Sequence, residues 1–220
     1  MEYKNNRFVI IDGSSLMYRA FFALPLLTTA SGKYTNAIFG FARMAVKLLE
    51  DLKPQYVVIA FDKSRHTFRT DLYKDYKATR EKTPDELAGQ IPMLYDFTKA
   101  MGIKFIELDN YEADDIIGTL AVTAASNNFE TLVITGDRDA LQLIRPNLKI
   151  VMTKKGISET EIFDEAAFIE KYGIQPQRMI DLKALMGDKS DNIPGVFGVG
   201  EKTALKLLSE YQTLDGIYEN

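Results

Sequence analysis

The 220 residues contain no cysteine and no tryptophan, and histidine occurs once, as His66. Without cysteine, neither disulfides nor thiolate-bound zinc can contribute. His66 reads as a surface residue, and no Ser–His–Asp arrangement can be argued from it. Long apolar runs are missing too, since none approaches the roughly 20 residues of a membrane span. The N-terminus, MEYKNNRFVIIDG, lacks the long apolar stretch and small-residue cleavage site of a signal peptide. A soluble cytoplasmic protein without a membrane partner is expected. Positive charge is in short supply, with 27 Lys and Arg against 31 Asp and Glu and a net charge of −4. On its face that argues against a nucleic-acid partner. Its distribution softens the argument. Lys63, Arg65, Arg69, Lys74, Lys77, Arg80 and Lys82 face only Asp71, Asp75 and Glu81 within one stretch.

What is present is enough to build a core. Hydrophobic residues make up 46% of the chain, which allows one domain with or without a small appendage. Strands are expected at 8–11, 56–61, 104–108, 131–134 and 149–152. Helices are expected over 37–52 and 113–125, with a further one opening at Thr83-Pro84-Asp85-Glu86, where Thr83 is the N-cap. Strands alternating with helices predict an α/β fold with a parallel central sheet. After Asp164 the pattern is helical only. The expected division is a catalytic core over 1–163 and a helical module over 164–220. The chain stops at LSEYQTLDGIYEN without a clear terminating element, so a fragment is expected.

Nine carboxylates carry the chemistry. Asp12, Asp62 and Asp137 follow the apolar runs FVIID, VVIAFD and TLVITGD. If those runs are neighbouring strands, their acids meet at the carboxyl edge of the sheet, where such folds bind ligands. Glu112, Asp114 and Asp115 open the helical pattern YEADDIIGTLA, Asp139 follows Asp137 by two, and Asp188 and Asp191 share GDKSDNIPG. Each has a bland alternative as an N-cap, a helix-dipole partner or an Asx turn. Two like charges at ~4 Å repel by roughly 4 kcal/mol at an effective dielectric of 20. Such a cluster asks for a cation, and all-oxygen donors favour Mg²⁺ or Mn²⁺. Asp188 and Asp191, three residues apart, are expected to point the same way on a helical turn.

Two further segments suit an anionic polymer. KSRHTFRTDLYKDYKATREK interleaves Phe68, Tyr73 and Tyr76 with its bases, as single-stranded nucleic acid would require. A solvated amphipathic loop is the plain alternative. IPGVFGVGEKTALKLL reads as a tight glycine turn into a helix. There Gly198 and Gly200 would let backbone N–H groups approach a phosphate beside Lys202. An ordinary αα-hairpin is the alternative.

Together IIDGSSLMYRAFF, YKATR, YEADDIIGTLA, TGDRDALQL and DLKALMGDKSDNIPGVFGVGEKTALKLL resemble the 5′ nuclease (flap endonuclease) superfamily. Within it they look like the N-terminal 5′→3′ exonuclease domains of bacterial DNA polymerase I. The resemblance implies a Rossmann-like, PIN-type core followed by a helix-3-turn-helix (helix-hairpin-helix) duplex clamp. It implies removal of 5′ flaps and RNA primers with two divalent ions. The ligands would be Asp12, Asp62, Glu112, Asp114, Asp115, Asp137, Asp139, Asp188 and Asp191, with Asp115 and Asp137 critical for cleavage. Lys77 and Arg80 match the basic arch. DNA contacts would fall on Tyr18, Arg19, Arg69, Tyr76, Lys77, Arg80, Gly198, Gly200, Lys202 and Thr203, with K⁺ held in the clamp turn. Expected partners are flapped, nicked or gapped duplex DNA, RNA–DNA primers and a polymerase domain downstream. The chain departs from the pattern at Thr79 and at Phe197, where Pro is usual. Rival readings are a PIN-like ribonuclease, a non-catalytic junction-binding module and a small-molecule phosphatase.

Overall fold

The computed structural model describes residues 4–154 and 159–220. The strands are β1 (Lys4–Asp12), β2 (Pro54–Ala60), β3 (Lys104–Ile106), β4 (Glu130–Thr135), β5 (Leu148–Thr153) and β6 (Thr160–Phe163). They form one sheet in the order β3-β2-β1-β4-β5-β6, with every pair parallel except β5 and β6. β6 was not expected. It has four residues, two of them exposed, too short to stand out as a pattern.

The three acid-terminated runs lie side by side because each is apolar on both faces, as a covered parallel strand must be. Alternation along β1 splits the core in two. Val9 and Ile11 face one layer, formed by α1 (Gly13–Ala23), α2 (Asn36–Leu52), α4 (Asp85–Ala88) and α5 (Ile91–Ala100). Ile10 faces the other, formed by α6 (Ala113–Ser126), α7 (Glu165–Tyr172), α8 (Met179–Met186) and α9 (Glu201–Tyr211). Short helices at α3 (Phe68–Leu72) and α10 (Leu214–Tyr218) complete the set. The C-terminal helices share a core with the sheet through Phe168, Leu182, Leu185 and Leu208.

The α4 helix starts one residue later than expected, with Pro84 rather than Thr83 as N-cap. Thr35 provides no side-chain cap for α2. Gln90 does this from a distance, its Oε1 accepting from Ala37 N at 2.8 Å and Ile38 N at 3.1 Å. Its Nε2 donates to Asn36 and to the Glu86 carbonyl, so the buried amide is satisfied. At the amino edge of the sheet Arg7 forks onto Glu130 at 2.7 and 2.9 Å and donates to the Leu52 carbonyl. That buried charge is fully paired. The carboxyl edge is not.

Candidate active site

The carboxyl edge collects the acids by register. Asp12 ends β1 opposite Ala60 of β2, two residues before Asp62, and β4 ends at Thr135, two before Asp137. Asp12 serves as N-cap of α1, accepting from Ser15 N at 2.8 Å, while its other oxygen accepts from Thr135 Oγ1 at 2.7 Å. Burial pushes its carboxyl up to about 6, with Asp62 and Asp137 adding to the rise. Asp62 accepts from Ala113 N at 2.8 Å, which ties the end of β2 to the start of α6. Asp114 is raised to about 8, first by loss of hydration and then by Asp12, Asp137 and Asp62. It is open to solvent on one side. The upward direction follows from lost hydration first and from crowding by like charges second. Asp12, Asp62, Asp114 and Asp137 are thus one mutually repelling group.

The other five acids are each held by a cation or hydroxyl of the chain itself. Arg69 forks onto Asp115 at 2.7 and 2.8 Å, and this pairing holds Asp115 below the usual carboxylate range. Lys77 Nζ lies 2.9 Å from Glu112, and Arg80 lies 2.6 Å from Asp191. The Tyr76 hydroxyl sits between Glu112 and Asp191, at 3.0 and 3.1 Å. Lys183 of α8 bridges Asp139 and Asp188, at 2.6 Å from each. Burial would raise Asp188, but Lys183 and Ser190 outweigh it and hold the acid at about 2. Asp139 moves upward instead, because there burial outweighs Lys183. Among the described residues no three acids close into a ready cation cage.

Two expectations about orientation need correction. Asp188 and Asp191 do not point the same way. Asp188 closes an Asx-type turn, accepting from Ser190 N and Asp191 N, and joins Lys183, whereas Asp191 joins Arg80 and Tyr76. Tyr76 is 7% exposed and engaged with carboxylates, so its ring offers no stacking surface here. Asp137 caps a 3₁₀ turn over Arg138–Leu143, its side chain accepting from Asp139 N.

The basic segment is docked onto the acids. Lys77 has φ +55, an uncommon left-handed value for a lysine. Its N–H donates to the Asp191 carbonyl at 2.9 Å, and Asn192 reaches the Asp75 carbonyl at 2.7 Å. Two clefts result. One, of about 760 Å³, opens between α3, α6 and α8 and is lined by Asp114, Asp115, Asp139 and Lys183. The other, of about 640 Å³, lies beside α1 and is lined by Tyr18, Asp62, Lys63, Arg65, Lys77 and Arg80. Tyr76 and Glu112 form the wall common to both.

The remaining expected residues are dispersed. Tyr18 hydrogen-bonds Thr83 at 2.6 Å, and Arg19 donates to the Lys154 carbonyl. His66 pairs with exposed Asp71 at 3.3 Å. Gly198, Gly200, Lys202 and Thr203 lie at the turn into α9 and line neither cleft. Lys183 was missed, since a lysine on an amphipathic helix reads as solvated. Thr135, whose hydroxyl donates to Asp12 and accepts from Asp137 N, was missed as an ordinary strand residue.

Residues 7–173 match the 5′-3′ exonuclease, N-terminal resolvase-like domain, and residues 174–220 match the 5′-3′ exonuclease, C-terminal SAM fold. DNA polymerase I of Bacillus caldotenax is 51% identical over 211 residues, covering 96% of this chain and 24% of that protein. DNA polymerase I of Bacillus subtilis is 48% identical over 217 residues, 99% of this chain and 25% of that protein. The chain therefore spans about a quarter of the length of these curated relatives. The bacteriophage T5 D15 flap endonuclease, solved as a pseudo-enzyme–product complex with DNA and metal ions, superimposes with a TM-score of 0.77. Its identity is 19%, over 97% of this chain and 78% of that one. The catalytic core of Rad2 in complex with DNA substrate gives 0.65 at 21% identity, over 97% and 64%. At these identities the two structures speak to the fold alone. With both parts of the chain matched in order, the protein belongs to the 5′-3′ exonuclease family of nucleases.

Proposed function

We propose that this chain hydrolyses phosphodiesters as a structure-specific 5′→3′ exonuclease and 5′ flap endonuclease. Its substrates would be flapped, nicked or gapped duplex DNA and RNA–DNA primers. The observation that carries this is the repelling quartet Asp12, Asp62, Asp114 and Asp137 beside a docked basic segment, in a chain of this family. An all-carboxylate donor set in which Asp12 and Asp114 are pushed upward fits hard divalent cations such as Mg²⁺ or Mn²⁺. Asp12, Asp62, Glu112, Asp114 and Asp115 would hold one ion. Asp137, Asp139, Asp188 and Asp191 would hold or orient a second, some through water. When bound, such ions supply an activated water and neutralise charge developing on the phosphate and leaving oxygen.

The chain's own residues do the rest. Lys77 and Arg80, now spent on Glu112 and Asp191, are the cations free to turn to a phosphate once other charge satisfies those acids. Thr135 and Ser15 fix both oxygens of Asp12, so its direction is preorganised. The turn into α9, with Gly198, Gly200, Lys202 and Thr203, would grip duplex phosphates without reading sequence, with K⁺ on its carbonyls. In this reading residues 1–163 are the catalytic core, 164–220 the duplex clamp, and a polymerase region adjoins them in the full-length protein.

The test is cleavage of a 5′-labelled flap duplex with Mg²⁺, with Mn²⁺ and with EDTA. Metal-dependent release of a short 5′ product near the junction is expected. Asp115→Ala and Asp137→Ala should abolish cleavage while duplex binding persists. Undiminished turnover in either variant would sink the assignment.

A further inference from the structure

We infer that Asn192 is a positioning residue, a side-chain tie that holds the backbone of Lys77 and Arg80 over the acids while their charged heads turn to substrate. The inference rests on the phosphodiester chemistry proposed above and gives a role to a residue outside the acids and cations. Asn192 Nδ2 donates to the Asp75 carbonyl at 2.7 Å, across 117 residues of sequence. Ala78 N donates to the same carbonyl at 3.1 Å, so the amide closes onto a turn that the segment has already made. Turn follows turn there, with Tyr76 N bonded to the Tyr73 carbonyl and Arg80 N to that of Lys77, and no helix runs between α3 and α4. Isolated turns lack the cooperativity of a helix. The position of this segment therefore comes from what it touches.

Most contacts that hold it are ones the reaction would disturb. The ion pairs of Lys77 with Glu112 and of Arg80 with Asp191 are given up when those cations turn to a phosphate. The Tyr76 hydroxyl bonds end on Glu112 and Asp191, both candidate ligands. Two neutral ties are left, Lys77 N to the Asp191 carbonyl at 2.9 Å and the Asn192 amide. Among the described residues, the amide makes the one side-chain hydrogen bond between this segment and the 188–193 loop that uses neither an acid nor a cation. Asn192 has φ +57, and main-chain bonds between Asp188 and Ile193, 2.8 Å in each direction, close its loop. Glycine would suit that backbone equally well. What asparagine adds is the donor, and the donor reaches the segment that carries Lys77 and Arg80.

The test compares wild type with Asn192→Gly, which keeps the left-handed conformer and removes the amide, and with Asn192→Ala, which removes both. In EDTA, trypsin cleavage after Lys77, followed by mass spectrometry, should be about fivefold faster in both variants. That is the worth of one neutral hydrogen bond, at about 1 kcal/mol, where cutting tracks the open population. Cleavage after Lys206, within α9, should not change, because the tie is local. In Mg²⁺, single-turnover cleavage of a saturating 5′-flap duplex should fall at least about tenfold, since a misplacement of about 1 Å can cost about a hundredfold. Kd for the same duplex in Ca²⁺ should stay within about twofold, because no charge that meets phosphate is removed. A loss confined to Asn192→Ala would belong to the backbone conformer, and equal speeding at Lys206 would mean general loosening. Either result overturns the inference. Wild-type flap cleavage with Asn192→Gly unimpaired overturns this inference alone, whereas a wild type that cleaves no flap overturns the proposed function with it.

Discussion

Replacing Lys183 by methionine keeps the apolar stem of the side chain and deletes its charge. The ammonium lies 2.6 Å from Asp139 Oδ1 and 2.6 Å from Asp188 Oδ2, so two carboxylates are left facing the space it filled. Removing one member of a fully buried ion pair costs about 3–5 kcal/mol. The Lys183 side chain is 30% exposed, and water will screen the orphaned acids. A cost of about 2 kcal/mol is therefore expected, close to that of one charge-assisted hydrogen bond. In a chain of this length about 1 kcal/mol moves Tm by 2–4 °C, so melting in EDTA should fall by about 4–8 °C. The pH dependence follows from Asp188, held at about 2 in the folded chain. A depressed carboxylate stabilises above its unfolded pKa, near 3.9, and that stability is lost as pH falls through the folded value. Asp139 is shifted the other way and partly offsets this. The gap between wild type and variant should then narrow from about pH 4 to pH 2. Calorimetric melting in EDTA, then in Mg²⁺, checks the sequence of effects, with Mg²⁺ recovering part of the loss. Identical melting of the two proteins in EDTA would refute the idea that Lys183 neutralises this acid pair.

Two other predictions concern the same edge of the molecule. Gly187→Ala places a side chain at φ +73, ψ 179, with its Cβ 2.4 Å from Gly195 N. A cost on the order of 3 kcal/mol and a Tm lower by roughly 6–12 °C should follow, and wild-type melting would contradict the close approach. Asp114→Asn should raise Tm in EDTA at pH 8 by about 2–4 °C, a figure kept small because solvent reaches the carboxylate. Its folded pKa is raised, so the charged form is penalised above the unfolded value, and the gain should fade as pH drops from about 8 to about 4. A variant no more stable than wild type at pH 8 would mean that the quartet is not strained.

Much of this architecture was legible because parallel strands advertise themselves. Covered on both faces, FVIID and TLVITGD have to be continuous apolar runs, and the acid that ends each run marks the edge where the sheet stops. The YEADDIIGTLA acids open α6 where that pattern put them, and Glu112 and Asp115 close a capping box there, the plain alternative for two of the three. What could not be read was direction. Whether Asp188 and Asp191 converge depends on the Asp188–Ile193 bridge, which sends one toward Lys183 and the other toward Arg80. The Lys183 contacts depend on how α8 lies against the Arg138–Leu143 turn, a tertiary relation with no local signature. Tyr76 looked like a stacking residue because aromatic–basic alternation is a surface pattern, and only docking of the segment turns it inward. β6 was hidden by its brevity, and the Gln90 cap by its distance from the helix that it serves.

The wall formed by Tyr76 and Glu112 ties the separation of the two clefts to the charge state of the basic segment. Lys77 reaches Glu112 and Arg80 reaches Asp191, so the wall cannot part without breaking contacts of both cations. Each contact broken leaves a cation and a carboxylate to be rehydrated together, which offsets part of the lost attraction. The partition between the clefts is therefore electrostatic as much as steric, and added salt, by screening these partly exposed pairs, weakens it.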